Sequence, residues 1–515
     1  MVEGAHGAVA AGHAIAAEAA LEVLQRGGNA IDAAVAASAV QCVVEPAWCG
    51  IGGDAFVMID TPEGTVALNG SGSAPFGLSA VEGTIPRYGA LSVSVPGTLE
   101  TWHHMADRYG TRPLSDLLAT AIHLAEDGFL VDKRLAVAIE RVRPELADYP
   151  GLARLIEGNG ARAGETFHQP ELAATLRRVA RGGVEVVYEG EVGEALVRDL
   201  AARGGVLTIG DLSAHHTTWL DPISVEYRGR LIHEHPPVSL GIVLLEELKI
   251  LEGFDPGNMA YDGPELVDLM TFCKQAAFRD AFDHIGDPTH EPVPVEWMIS
   301  EDRAASWRAK LSLAAPSAVA GPEGADTTSL AVADGSGNTV NLIHSLFNEF
   351  GSREVPEGTG IVLNDRLGNL VLEGGRPGGI RPGHRPVHTL NTFMMSENGS
   401  VRLAGSTPGG RGQVQTLFQV LVHYIDHGLD LGEALTAPRW IHGSPRSRTP
   451  DDVLILEHTF PLETVTALAG RHEVRAGGEV EEELFGSCTV VGRRPEDGVL
   501  VAAADHRRRA VALAY

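Results

Sequence analysis

Thr327 and Thr328 follow a run of small residues, AAPSAVAGPEGAD at 314–326, and open a β-branched, apolar stretch that reads as a strand. A threonine hydroxyl is a poor nucleophile at neutral pH unless a base lies close by. A threonine that begins a chain carries such a base, because its own α-amino group titrates near neutrality. For Thr327 that chemistry requires a backbone cut between Asp326 and Thr327, and a Gly/Ala/Pro loop running into a strand is a suitable place for one. Thr-Thr pairs at strand starts also serve purely structural ends, so the residues alone leave both roles open.

Acyl transfer also needs hydrogen-bond donors for a developing oxyanion. Two glycine-rich turns could present backbone N–H groups, Gly50–Gly53 and Gly405–Gly412 (GSTPGGRG). The second lies between a strand, VRLAG, and a helix, Gln415 to Asp426, so it can aim amides and a helix N-terminus at one point. A tight turn without a ligand is the alternative for each. GIGGDA has neither the GxGxxG nor the Walker spacing, so no nucleotide cofactor is implied. His103-His104, His215-His216 and the His233/His235 pair lack an evident carboxylate partner set. Cys42, Cys49, Cys273 and Cys488 form no CxxC or zinc spacing. The expectation is reduced, partly buried thiols and no metal.

These residues need a scaffold. Ile15, Ala19, Leu21 and Leu24 recur at helical spacing over His13–Arg26, and Gly27-Gly28 stops that helix. Asn29 opens a second helix, Ala30–Val44, rich in alanine and suited to close packing. Strand patterns follow at Ala55–Ile59 and Thr65–Leu68, then the loop NGSGSAP, and a helical pattern returns from Val95 to Phe129. Residues 145–300 read as mostly helical apart from ISVEY and RLIHEH. Late strands are expected at Ser329–Ala333, Val340–His344, Val401–Leu403, Thr489–Val491 and Val499–Ala503. Helices early and strands late indicate an α+β layered architecture. The N-terminus reads as a domain start leading into a helix, without the basic-then-apolar pattern of a signal peptide.

Among the 515 residues, 40 Lys and Arg face 68 Asp and Glu, a net charge of -28. Phosphate backbones and anionic membranes are repelled by such a surface, which argues against nucleic-acid or membrane partners. No segment approaches a membrane span. A cytoplasmic location is expected.

Several segments together resemble one family. They are GGNAIDAAVAASAV, VVEPAWCGIGGDAF, SVPGTLETWHHMADRYG, AIHLAEDGF, HEHPPVSLGIVLLEELKILEGFD, DTTSLAVADGSGNTVNLIHSLFNEFGS, GTGIVLND, GSTPGGRGQVQTLFQV and ALTAPRW. In this order they resemble the γ-glutamyltranspeptidases and their acylase-like relatives, among the N-terminal nucleophile hydrolases. The resemblance implies a four-layer αββα sandwich. It also implies a precursor that cuts itself into a large subunit, 1–326, and a small subunit, 327–515. Thr327 would attack the carbonyl, its amino group acting first as base and then as acid. Ser345 matches a hydroxyl that hydrogen-bonds the nucleophile, and Gly409 and Gly410 match the oxyanion-hole glycines.

The departures are equally informative. Ser71 stands where the γ-glutamyl enzymes hold the substrate carboxylate with arginine. Phe347 and Asn369 stand where they hold its ammonium with asparagine and aspartate, and His388-Thr389 replaces a serine pair. A substrate charge left without its partner is costly. The chain therefore resembles the acylase and amidohydrolase branch more than the glutathione-cleaving one. Arg353, Arg366 and Arg411 fall in segments that border the site and could grip a carboxylate, or simply pair with surface acids. The resulting expectation is a self-processing amidohydrolase acting on a small, carboxylate-bearing amide. Acyl transfer to an amine and a catalytically silent binding homologue are the alternatives, and the subunits could assemble into a homo-oligomer.

Overall fold

The computed structural model describes residues 1–311, 326–368, 377–443, 452–477 and 482–515. The loop before Thr327 therefore lies largely outside the described residues, as does Asn369.

The second helix organises its half of the molecule. Asn29 accepts hydrogen bonds from the Ile31 and Asp32 amides, while Asp32 accepts one from Asn29 N, so the helix starts in a capping box. All residues from Ala30 to Val44 are buried, which the alanines permit. Both ends are tied to the strand Asp326–Asp334. At one end Ala30 N donates to Asp334 Oδ2 at 2.9 Å. At the other, Thr328 Oγ1 donates to Glu45 Oε2 at 2.8 Å and accepts from Gln41 Nε2 at 2.9 Å.

Two seven-stranded sheets, every neighbouring pair antiparallel, form the middle of the structure. The first runs Val511–Ala514, Gly7–Ala11, Asp326–Asp334, Thr339–Phe347, Asp54–Thr61, Gly64–Gly70, Thr218–Leu220. The second runs Val2–Gly4, Leu500–Ala504, Thr489–Arg493, Ser400–Ser406, Phe393–Glu397, Arg230–Glu234, Ile223–Tyr227. Strand periodicity divides the residues among layers. Val9, Ala11, Leu330, Val332, Val340 and Leu342 pack against the early helices. Ile232, Phe393, Met395 and Val490 pack against Gly241–Leu251, Pro264–His284 and Gly412–Ile425. Between the sheets lie mainly small side chains, Ala8, Ala10, Ala331, Ala333, Ala404 and Ala502, with Met58 and Met394. The architecture is the expected four-layer αββα sandwich.

Three differences from the sequence reading have physical causes. The segment ahead of the first helix holds two strands, Val2–Gly4 and the central Gly7–Ala11, and the chain ends in an edge strand, Val511–Ala514. GAVAA carries little β-forming tendency, but its methyl groups fit the narrow gap between sheets, and tertiary packing decides. Gly50–Gly53 is a packing turn: Gly53 N donates to Gly50 O, and a Cβ on Gly53 would meet Ser345 O at 2.4 Å. One histidine from each of two pairs does find a carboxylate, since Glu100 lies 3.8 Å from His104 and 3.2 Å from His215. Cys42, Cys49 and His344, distant in sequence, also gather in the core, where His344 is already bonded to Ser38 and Gln41.

Candidate active site

Thr327 sits at the start of its strand, just where the register slips between Asp326 and Thr328. The side chains of Ser329, Ala331 and Ala333 face the gap between the sheets, and Thr327 shares their parity. Its Oγ1 donates to Ser345 Oγ at 3.2 Å, and both residues are buried. Ser345 Oγ accepts a further hydrogen bond from Phe347 N at 2.8 Å. Phe347 itself adopts φ 87°, a left-handed conformation unusual for a bulky residue and typical of functional sites.

Strand register extends this row of residues. Ser345 pairs with Asp54, and Ala55 pairs with Gly70, so Asp54 and Ser71 continue the row that Thr327 begins. Ser71 Oγ donates to Asn69 Oδ1 at 2.6 Å, which fixes the hydroxyl in that role. Asp54 forms a buried ion pair with Arg366, Nε to Oδ2 at 3.0 Å. Burial pushes the Asp54 carboxyl up, and the Arg366 guanidinium and Gly72 N–H pull it back. Arg366 also lies over the Phe347 ring at 4.5 Å, so Phe347 forms an aromatic floor for the cation. Arg353 is turned away from this row, stacked on Tyr88 at 3.6 Å and paired with Glu145.

The second sheet supplies the opposite wall. Ser406 ends a strand, and the turn Thr407–Arg411 leads into the helix Gly412–Ile425. Gly409 and Gly410 take φ 138° and 55°, both favouring glycine. Neither N–H donates a hydrogen bond among the described residues, whereas their carbonyls cap the helix by accepting from Gly412 N and Gln413 N. Pro408 of this turn lines the same cleft as Thr327. Arg411 occupies the helix N-cap, partly exposed. His388 is bonded through its backbone to Val238 and Leu240, and its ring rests 5.1 Å from Phe56. Thr389 is buried, its carbonyl accepting from Asn391 Nδ2 at 3.0 Å.

Around this space several buried polar atoms have no hydrogen-bond partner among the described residues. They are both ring nitrogens of His235 and of His388, Asn391 Oδ1, Thr392 Oγ1, Gln413 Nε2 and Arg366 Nη2. Burial keeps both histidines neutral, His235 at about 3 and His388 well below its usual value, with Arg366 and Arg385 adding to the effect at His388. Leaving such a group unbonded costs about 1–3 kcal/mol, so each of these eight calls for a polar partner. Sequence reasoning did not single out Asp54, Asn391 or Gln413, and considered His235 only as one of a histidine pair. For Asp54 a signal existed, a lone acid opening the otherwise apolar strand DAFVMI.

A four-layer sandwich with a threonine at a strand start between the sheets, beside a Gly-Gly turn, is the architecture of the N-terminal nucleophile amidohydrolases. The comparisons with known proteins agree. The γ-glutamyltranspeptidase family model matches residues 16–515, and the chain belongs to that family. It is 34% identical to the oxamate amidohydrolase proenzyme of Klebsiella pneumoniae, over 99% of this chain and 98% of that protein. It is 33% identical to the acylase ACY 1 proenzyme of Pseudomonas sp. strain V22, over 97% and 92%. The crystal structure of a cephalosporin acylase from Bacillus halodurans superposes with a TM-score of 0.92 at 34% identity, covering 100% of this chain and 96% of that one. The chain is thus an amide-hydrolysing enzyme of this family. Among the described residues no helix is long and apolar enough to cross a membrane.

Proposed function

We propose that the protein cuts itself between Asp326 and Thr327 and then hydrolyses a small, carboxylate-bearing amide with Thr327 as nucleophile. Thr327 Oγ1 attacks the amide carbonyl while the freed α-amino group takes its proton. The Gly409 and Gly410 N–H groups receive the oxyanion. The same amine returns the proton to the leaving nitrogen, and water then releases the acid from the threonine ester. Ser345 holds Oγ1 in place.

The observation that carries this reading is the 3.2 Å Thr327–Ser345 contact at the head of a strand, in a cleft that Pro408 of the Gly-Gly turn also lines. Cutting there leaves pieces 1–326 and 327–515 interleaved in the same sheet, because Asp326–Asp334 pairs with Gly7–Ala11 and Thr339–Phe347 with Asp54–Thr61. The pieces would therefore stay together. For the acyl group, Arg366 Nη2, the neutral imidazoles and Gln413 Nε2 offer donors that suit carboxylate oxygens. Asp54 holds the guanidinium in one orientation rather than cancelling its free edge. Oxamate, the substrate named for one relative, has this chemistry.

Intact-mass measurement of wild type and Thr327→Ala tests the cut, with two fragments expected from the first and a single chain from the second. The processed enzyme is then offered oxamate, glutaryl-p-nitroanilide and γ-glutamyl-p-nitroanilide, with and without an added amine. Release of free acid regardless of amine supports hydrolysis, and an amide product formed with the amine supports transfer. A chain that stays whole would leave a binding homologue.

A further inference from the structure

After the helix Pro264–His284 the chain turns through residues 285–291 and packs against a second segment, 377–388, which runs on to His388. The two approach so closely at Gly286 that a Cβ there would meet Gly378 N at 3.0 Å. Where they meet, Asp287, His290 and His384 converge, their ligand atoms all within 4.8 Å of one another. Asp287 is buried, and its carboxylate is held from behind. Its Oδ1 accepts from Thr289 N at 3.0 Å and Thr289 Oγ1 at 2.6 Å, and its Oδ2 accepts from Arg385 N at 2.8 Å. The two imidazoles lie face to face, their centroids 3.7 Å apart and their planes 10° from parallel. His290 Nε2 stands 3.9 Å from Asp287 Oδ2, beyond hydrogen-bond reach. Among the described residues neither imidazole makes a hydrogen bond.

We propose that Asp287, His290 and His384 hold one divalent transition-metal ion of zinc type, which staples the two segments together. Two imidazoles and a carboxylate form a donor set that zinc accepts, with water completing the shell. Ligands about 2.0–2.1 Å from a tetrahedral ion stand roughly 3.3 Å from one another, so the present spacing closes by at most about 1.5 Å. His290 is 42% exposed and supplies that movement by rotating its side chain. Metal ligands are ordinarily oriented by hydrogen bonds behind them, and Asp287 already has three. Magnesium and calcium, which prefer oxygen, suit this set poorly. Glu291 adds a further carboxylate on the same turn, 3.6 Å from Arg381 Nη1. The segment 377–388 is also tied to Ala74, which donates to His384 O and accepts from Gly383 N, each at 2.8 Å. Arg385 reaches across to Thr218 Oγ1 at 2.9 Å. An ion on His384 would therefore steady the strap that carries Arg385 and His388. None of this depends on a cut before Thr327.

Zinc uptake by the full-length protein, stripped with a chelator and titrated against a fluorescent zinc indicator, tests the proposal. Wild type should take up Zn2+ with micromolar affinity or tighter, and millimolar Mg2+ should not displace it. His290→Ala and His384→Ala should each weaken that site by about tenfold or more. His123→Ala, at an exposed histidine beside Asp127, should leave it unchanged. Hydrogen exchange read by mass spectrometry should slow in 377–388 when Zn2+ is added to wild type, and stay as it was in His290→Ala. Loss of the site in both variants together with that protection supports the proposal. No uptake at tens of micromolar Zn2+, or uptake equal in wild type and both variants, overturns it. So does uptake that leaves exchange in 377–388 unmoved. If His384→Ala does not fold, His290→Ala, at the surface, decides by itself.

Discussion

Ser329 and Thr489 are joined across the sandwich, Oγ to Oγ1 at 2.9 Å, two residues along the strand from Thr327. Beside them Ser406 Oγ donates to Asn341 Oδ1 at 2.7 Å, and Asn341 Nδ2 to Phe393 O at 3.3 Å. These bonds tie the sheet that carries Thr327 to the sheet that carries the Gly-Gly turn. The spacing between Thr327 and the Gly409–Gly410 turn is thus set by hydroxyl and amide groups placed among alanines.

Thr489→Val should expose that dependence. The shape is nearly kept, but Ser329 loses its partner in a buried place, a loss of about 1 kcal/mol in stability. Activity should fall more than stability implies, through kcat rather than KM, because the sheets can shift slightly at the site. Steady-state kinetics beside urea unfolding would check this. A proportionate loss in both would argue that the bond acts only on stability.

Asp54→Ala should be severe. It leaves Arg366 as a buried cation without its carboxylate, which typically costs about 3–5 kcal/mol. Replacing both partners, Asp54→Ala with Arg366→Met, should recover much of the stability and none of the activity if Arg366 receives the substrate. Urea midpoints of the single and double variants measure the coupling.

Gly409→Ala separates geometry from bulk. An added Cβ would find nothing closer than 3.6 Å, yet φ at 138° is unfavourable for alanine. The turn should relax and carry its N–H groups off target, reducing kcat by about 10²–10³ while the protein still folds. An unimpaired kcat would exclude Gly409 from oxyanion binding.

The buried acids and imidazoles give opposite dependences on pH. Burial raises Glu234 well above 4.5 in the folded state. The folded protein then binds a proton that the unfolded chain releases, so this contribution is present in acid and lost as pH rises through the folded value. Glu234→Gln should accordingly be more stable than wild type at pH 8 and equal to it near pH 4. Each pH unit between the folded and unfolded values corresponds to about 1.4 kcal/mol. His235 and His344 act in reverse: held at about 3 against 6.5 unfolded, they withdraw stability as pH falls through that window. Urea midpoints at pH 8, 6 and 4 would resolve both signs, and an equal gain in Glu234→Gln at every pH would contradict the burial argument.

Much of the scaffold was legible from local pattern. The helix Ala30–Val44 was read to the residue, and the strands around Thr327, Ser345 and Val401 were found within a few positions. Gly7–Ala11 was missed because its fitness for a strand resides in what it packs against rather than in its own residues. Thr327 with Ser345 came only from the family resemblance, and Asp54 joins their row only through pairing register between two strands far apart in the chain. Arg366 was expected at the site, but only the fold shows that it comes with a carboxylate attached.

The alanines between the sheets have a consequence for how such a molecule can change. Methyl groups set the gauge of the sandwich, and one larger side chain at Ala331 or Ala404 would prise Thr327 and the Gly409–Gly410 turn apart. Phe347, His388 and Arg366 lie outside that layer of methyl groups. The spacing on which any chemistry between the sheets depends is thereby lodged in the smallest residues of the molecule.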